Sequence, residues 1–386
     1  MKKIYLDYNA TTPVLPEIFK TMQPFLTEKW GNPSSPHWGS DTLNEEIDKA
    51  RCSIASTLNC KKENIYFTSC GTESDNWAIK SVLSASNKKR KHIITTAVEH
   101  PAIIETCKFL ETIGTEVTYL EVDENGELDL ALLEKSIKDT TVLISVMLAN
   151  NETGVLFPAE KIGKIAERCN VLFHIDAVQA YGKLKIDTNK LNVDLLSLSG
   201  HKVYAPKGIG VLFVNDNVNI TPFIHGGGQE KGLRSGTENV ASIVALGKSA
   251  DIIKNDLRNG YISQLQSMRD YIEERLINEL SPVEINGYSS PRICNTTNIS
   301  FKNIETTALI KALSHEGIAV SAGSACASHK DSFSHVLKAM GRTKLSALST
   351  IRISIGKGLN KEMIEHSVNR IIYWVKKLRA FSPEKY

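Results

Sequence analysis

From about residue 65 to 215, short apolar runs alternate with amphipathic stretches, the pattern of strand–helix–strand units around a parallel sheet. Ile65 to Phe67, Ile93 to Thr95, Val117 to Leu120, Val142 to Val146, Val171 to Ile175, Leu195 to Leu198 and Ile209 to Phe213 read as strands. Between them, Glu73 to Leu83, Ala102 to Ile113, Leu130 to Ile137 and Ala159 to Arg168 repeat their apolar residues at helical spacing. The pattern changes after Gly236. Leu257, Tyr261, Leu265, Met268, Ile272, Leu276 and Leu280 form one stripe at spacings of three and four, which predicts a long helix. A strand Thr297 to Phe301, a helix Thr306 to Glu316, a short strand Ile318 to Ser321 and an amphipathic helix Lys361 to Lys377 follow. The expected fold is α/β: a large domain (15–258) with a seven-stranded, mainly parallel sheet, and a smaller α+β domain formed by 1–14 and 259–386.

Length agrees with that division, since 386 residues at about 150 per domain make two or three domains. With 41% hydrophobic residues the chain can fill two cores, which excludes wholesale disorder. Lysine plus arginine (46) against aspartate plus glutamate (43) leaves a net charge of +3, too near neutral to suggest direct nucleic-acid or membrane-surface binding. The basic cluster Lys88 to Lys91 reads as a solvated turn. The most apolar stretch, Val142 to Ala149, is far shorter than the roughly 20 residues of a membrane helix. The start, MKKIYLDYNATTP, lacks the apolar region of a signal peptide. A soluble, cytoplasmic protein is expected. Seven cysteines, at 52, 60, 70, 107, 169, 294 and 326, are scattered and contain no C-x-x-C pair, so neither a disulfide framework nor a zinc site is indicated.

Candidate chemistry concentrates at strand ends. One apolar run ends in Asp176 and another leads into Ser199-Gly200-His201-Lys202, at the carboxyl edge where open α/β sheets bind ligands. A carboxylate and a lysine so placed suit pyridoxal phosphate: the amine condenses with the aldehyde, and the carboxylate pairs with the protonated ring nitrogen. A surface lysine is the competing interpretation. In FTSCGTESDN (67–76) a strand runs into a helix N-terminus whose N–H groups, with the Thr72 hydroxyl, could face a phosphate; an ordinary helix cap explains the same residues. His100, in AVEHP, precedes a helix-starting proline. It is either a polar turn residue or a ring that stacks on a cofactor.

Nine motifs in order, YLDYNATTP, GNPSSPH, FTSCGTESDN, ANNETG, HIDAVQAYGK, SGHKVYAPKGIG, HGGGQEKGLRSGTEN, SAGSACAS and IRISIG, resemble the NifS/IscS-type cysteine desulfurases. These are pyridoxal-phosphate enzymes of the aspartate aminotransferase fold (type I). The resemblance runs from about residue 4 to 358. It implies that Lys202 tethers the cofactor, Asp176 pairs with the ring nitrogen, Gln179 donates to the ring oxygen, and His100 stacks on the ring and helps move protons. It places Asn151 beside cofactor and substrate. The phosphate would be held by Gly71, Thr72, Ser199 and His201, with Thr237 reaching across a homodimer interface. Arg352, inside an alternating apolar run, would clamp the substrate carboxylate with its planar fork. One position departs from the family's Ser-Gly: here Cys70 follows Ser69. The expectation is that Gly71 supplies the backbone freedom that a left-handed Cys70 would lack.

Small residues surround Cys326 in SAGSACAS, unlike a packed structural cysteine, which makes it the candidate nucleophile. The resemblance implies that Cys326 takes sulfur from L-cysteine as a persulfide, leaving L-alanine. It would then pass the sulfur to an iron–sulfur scaffold or another acceptor protein, Cys326 serving as a possible transient cluster ligand. A selenocysteine lyase or related β-eliminating enzyme, an aminotransferase and a cofactor-free scaffold for sulfur acceptors are the alternatives.

Overall fold

The computed structural model describes residues 3–322 and 333–381. The strands are β1 (Ile4–Tyr5), β2 (Ile65–Thr68), β3 (His92–Thr96), β4 (Glu116–Leu120), β5 (Thr141–Met147), β6 (Leu172–Asp176), β7 (Leu195–Ser199), β8 (Gly210–Val214), β9 (Val283–Ile285), β10 (Thr296–Phe301), β11 (Ile318–Ala319) and β12 (Thr350–Ser354). Seven of them form one sheet in the order β2-β8-β7-β6-β5-β3-β4. All residues of β3, β5, β7 and β8 are buried, because helices cover both faces; this is why these strands carry apolar residues on both faces, without a regular polar alternation. Strand β8 is antiparallel to both neighbours, and the other ladders are parallel. The carboxyl ends of β2, β5, β6 and β7 therefore share one edge, and the site lies there.

A second buried cluster combines Ile4 and Leu6 with side chains from Leu265 to Val375. Its sheet, β12-β10-β9, is antiparallel. Strand alternation sends Ile351 and Ile353 into this cluster and leaves Thr350, Arg352 and Ser354 on the other face. Arg352 is thus carried to the cavity by the period of the strand.

The predicted long helix runs from Tyr261 to Leu280, and Leu257, the first residue of the predicted stripe, instead caps a separate helix, Val240–Asp256. Gly260, at φ 77°, breaks the register between them. The helix Val240–Asp256 was not legible as an amphipathic pattern because it is apolar on most of its surface. It packs against the helix Leu43–Leu58, which also lies outside the predicted set. The predicted strand Ile318 to Ser321 pairs regularly only to Ala319, and Ser321 instead bridges Arg352.

Candidate active site

A cavity of about 910 Å³ opens at the carboxyl edge of the large sheet. Strand β6 brings Asp176 to its floor, where Oδ1 accepts the Val178 N–H at 2.9 Å. Burial pushes this carboxyl up to about 6, opposed by the Val178 hydrogen bond and the Lys202 charge. Strand β7 ends at Ser199, and the following turn presents His201 and Lys202. Lys202 Nζ donates to the carbonyls of Asn9 (2.6 Å) and Ala10 (2.9 Å). The amine is therefore aimed by the N-terminal segment.

Strand β2 leads through Ser69 and Cys70 into the helix Gly71–Ala85, whose first turn faces the same cavity. Cys70 has φ −173° and ψ 171°, extended backbone that any residue adopts, so the departure at this position costs no strain. Gly71 is not there for a left-handed backbone, contrary to the sequence expectation. It is the first residue of the helix, and a Cβ on it would lie 2.8 Å from Val178 Cγ2 and 3.3 Å from Ser199 Cβ. Its role is close approach. Beside it, the buried Ser199 hydroxyl has no hydrogen-bond partner. Open N–H groups at a helix start, an orphaned hydroxyl and a cleft that a Cβ would fill make a fitting cradle for a phosphate.

His100 caps the helix Pro101–Thr112, its Nδ1 accepting from Ala102 N at 3.1 Å. Burial, with the charges of Lys202 and His335, pushes the ring down to about 4. It is neutral near pH 7, with its proton on Nε2. His201 is pushed to about 4 by burial and by Lys202, and its Nδ1 pairs with Thr11 Oγ1 at 3.1 Å. Gln179 Nε2 donates to Asn9 O at 2.9 Å, and Gln179 Oε1 accepts from Lys183 Nζ at 3.1 Å. The Asn9 carbonyl can only accept and the Lys183 amine donates here, so the two contacts together fix which way the Gln179 amide faces.

Arg352 is 2% exposed. Its Nη1 donates to Asn151 O (2.9 Å), its Nη2 donates to Asp7 Oδ1 (2.7 Å), and its Nε has no partner. Asn151, Gly71, Thr72, Asp176, Gln179, Ser199, His201, Lys202, His100 and Arg352 all line the one cavity. Thr237 does not: it is exposed, on the segment that precedes the helix Val240–Asp256. Cys326 lies outside the described residues. Of the chain flanking that segment, Ser321 is hydrogen-bonded to the backbone of Arg352, and Phe333, Ser334 and His335 line the cavity.

Several site residues were not singled out from sequence. Asn9 organises the lysine, Lys183 orients Gln179, and Asp7 pairs with Arg352. Asp75 and Glu152 are buried carboxyls on the cavity wall. Burial, reinforced by the charge of Asp176, holds Asp75 well above the usual carboxylate range. Glu152, raised by burial, accepts from Ser334 Oγ at 2.6 Å. Only the motif YLDYNATTP pointed toward the N-terminal contribution, and it gave no role to Asp7 or Asn9. Among the other cysteines, burial pushes Cys60 and Cys107 up to about 12, which makes both poor nucleophiles.

Residues 4–366 match the family Aminotransferase class-V. The chain is 45% identical over 383 residues to "Cysteine desulfurase 2" of Trichormus variabilis, covering 99% of this chain and 96% of that protein. It is 43% identical over 384 residues to "Cysteine desulfurase IscS" of Dictyoglomus turgidum, covering 100% and 97%. Among solved structures, a "NifS-like protein" superposes with a TM-score of 0.90 at 38% identity, covering 97% of this chain and 100% of that one. "SspA in complex with cysteine" superposes at 0.81 with 37% identity, covering 92% and 99%.

Proposed function

Because the chain belongs to the class-V aminotransferase family, as a cysteine desulfurase of the NifS/IscS type, we propose that its cavity takes L-cysteine, releases L-alanine and leaves the sulfur on Cys326. Families of this class depend in general on pyridoxal phosphate. The observation that carries the reading is the convergence of Lys202, Asp176 and the Gly71–Ser199 cradle on one cavity.

The donor set fits the cofactor. Lys202 would tether it, Asp176 would pair with its ring nitrogen, and Gln179 would donate to its ring oxygen. Gly71, Thr72, Ser199 and His201 would hold its phosphate. Bound there, the group supplies an electron sink for the charge left when the substrate α-proton departs. Arg352 binds the substrate carboxylate. Lys202, held by the Asn9 and Ala10 carbonyls until its amine is needed, is the base that takes the α-proton. Neutral His100 moves protons between substrate thiol and solvent. The Cys326 thiolate then attacks the substrate sulfur: an S–S bond forms, the C–S bond breaks, and its electron pair returns to the substrate carbon, which is protonated on the way to alanine. Four residues beyond Ala322, Cys326 can reach at most roughly 14 Å from it along an extended chain.

The supporting division of labour is a cofactor body at 15–258 and a smaller body at 1–14 with 259–386, the latter around the cluster that includes Ile4 and Leu6. A homodimer would bring the exposed Thr237 to the partner's phosphate. The exposed Trp30 and Trp38 are surface that a second copy could cover. No helix among the described residues is long and apolar enough to cross a membrane. The proposed setting is the cytoplasm, where the enzyme hands persulfide sulfur to an iron–sulfur scaffold or other acceptor, with Cys326 as a transient cluster ligand. The test is mass spectrometry after incubation with L-cysteine. Cys326 should gain the mass of one sulfur atom, removable by reductant. Alanine release without that adduct would overturn the assignment of Cys326, and absence of a borohydride-sensitive visible band in the purified protein would overturn the cofactor assignment.

A further inference from the structure

Arg352 is not an open guanidinium awaiting a ligand. It sits in β12 with Ile351 and Ile353 buried to either side, and the cavity is in front of it. One arm is fixed by the Asn151 carbonyl. The other is bound, at 2.7 Å, by a carboxylate of the same chain, Asp7, whose side chain is 18% exposed against 3% for the arginine. A bridge between Asp7 and Ser354 keeps Asp7 next to the arginine strand. The Nε–H is buried and unpartnered, so the fork is incompletely used. Of the other charged groups around it, Glu152 adds negative potential and Lys183 positive.

We propose that Asp7 is an affinity-determining residue: its carboxylate occupies one arm of Arg352 and competes with the carboxylate of the incoming amino acid. The inference rests on the reading of Arg352 as the substrate carboxylate site. A carboxylate ligand has the remaining hydrogens of the two Nη arms to gain, because each arm spends only one on Asn151 or Asp7 and the Nε is enclosed. It must either displace Asp7 from Nη2 or bind beside a like charge, and both routes weaken binding. The arrangement keeps a buried guanidinium compensated before substrate arrives, when a lone buried charge would be costly.

The test uses the holoenzyme and 3-mercaptopropionate, a thiol carboxylate lacking the amine. Asp7→Asn keeps the size and an oxygen acceptor for Nη2 but removes the charge. The inhibition constant and the KM for L-cysteine should each fall about tenfold, the loss of one partly buried ion-pair competitor, with the effect on KM rather than kcat. If Asp7 merely held Arg352 in place, both constants would rise, and a rise or no change overturns the proposal. Should Asp7→Asn fail to fold, Asp7→Ser carries the same expectation and the same refutation. Arg352→Lys serves as the control for the premise. Its inhibition constant should rise sharply; an unchanged value would remove Arg352 from substrate binding, and the proposal with it, a result distinct from a failure of Asp7 alone.

Discussion

Replacing Gly71 by alanine tests whether the cradle is built by close approach. The added Cβ would lie 2.8 Å from Val178 Cγ2 and 3.3 Å from Ser199 Cβ, where carbon–carbon contacts prefer about 3.5–4.0 Å. Neither neighbour yields easily. Val178 is β-branched and its N–H is held by Asp176, while Ser199 is paired within β7 to Gly210. Overpacking of this kind costs about 1–3 kcal/mol. The apoenzyme can relieve it by displacing Val178 and Ser199, but cofactor binding requires both back, so the cost is read as affinity: roughly 5- to 150-fold weaker binding. Equilibrium dialysis of apoenzyme against pyridoxal phosphate measures it. Cys70→Gly is the matched control, because extended backbone at φ −173° needs no glycine. That variant should bind the cofactor like wild type, with a stability loss of at most about 1 kcal/mol from added backbone freedom. Binding by Gly71→Ala within about twofold of wild type, or an equal loss in Cys70→Gly, would refute the reasoning.

Glu99 is fully buried, with Oε2 unpartnered, and burial pushes it from 4.5 to about 8. The folded protein thus keeps a proton that the unfolded chain has released, so stability is intact below about pH 4.5 and is lost as pH rises toward 8. Glu99→Gln should therefore gain on wild type by up to about 5 kcal/mol between pH 5 and 8.5 in urea unfolding; a pH-independent difference would contradict the assignment. For Asp176, at about 6, the ionised form is the one that binds. Cofactor affinity should fall about tenfold per pH unit below pH 6 in wild type and stay flat in Asp176→Asn, measured by dialysis across that range. Burial lowers Lys183 from 10.5 to about 7, so the fold loses stability as pH falls from 10.5 to 7 and carries the full penalty below 7. Lys183→Met should raise the Tm near pH 6 yet weaken cofactor binding several-fold by removing one of the two contacts that orient the Gln179 amide, and a lowered Tm would count against this.

The strand and helix periods along 65–215 determined the large sheet, because strands covered on both faces are dominated by apolar residues and the helices between them by apolar stripes. The ends of those strands carried Asp176 and Lys202 to one edge, since parallel ladders align their carboxyl termini. What the local pattern could not carry was any pairing between distant segments. Gly71 is required by Val178 and Ser199, more than a hundred residues away, and not by its own backbone angle. The helix Val240–Asp256 stayed hidden because a helix buried on most of its surface has no polar stripe to mark its period. Asn9 and Asp7 looked like ordinary polar residues of the N-terminal segment. They acquire their roles only when β1 docks beside β11 and their chain crosses β12, which brings Asp7 to Arg352 and the Asn9 carbonyl to Lys202. The sequence by itself determined which chemical groups are available and the periodicity that puts them at strand ends. The tertiary structure alone decided which of them are buried, which are paired and how their proton affinities shift, because burial and Coulomb interactions depend on distance in space and not along the chain.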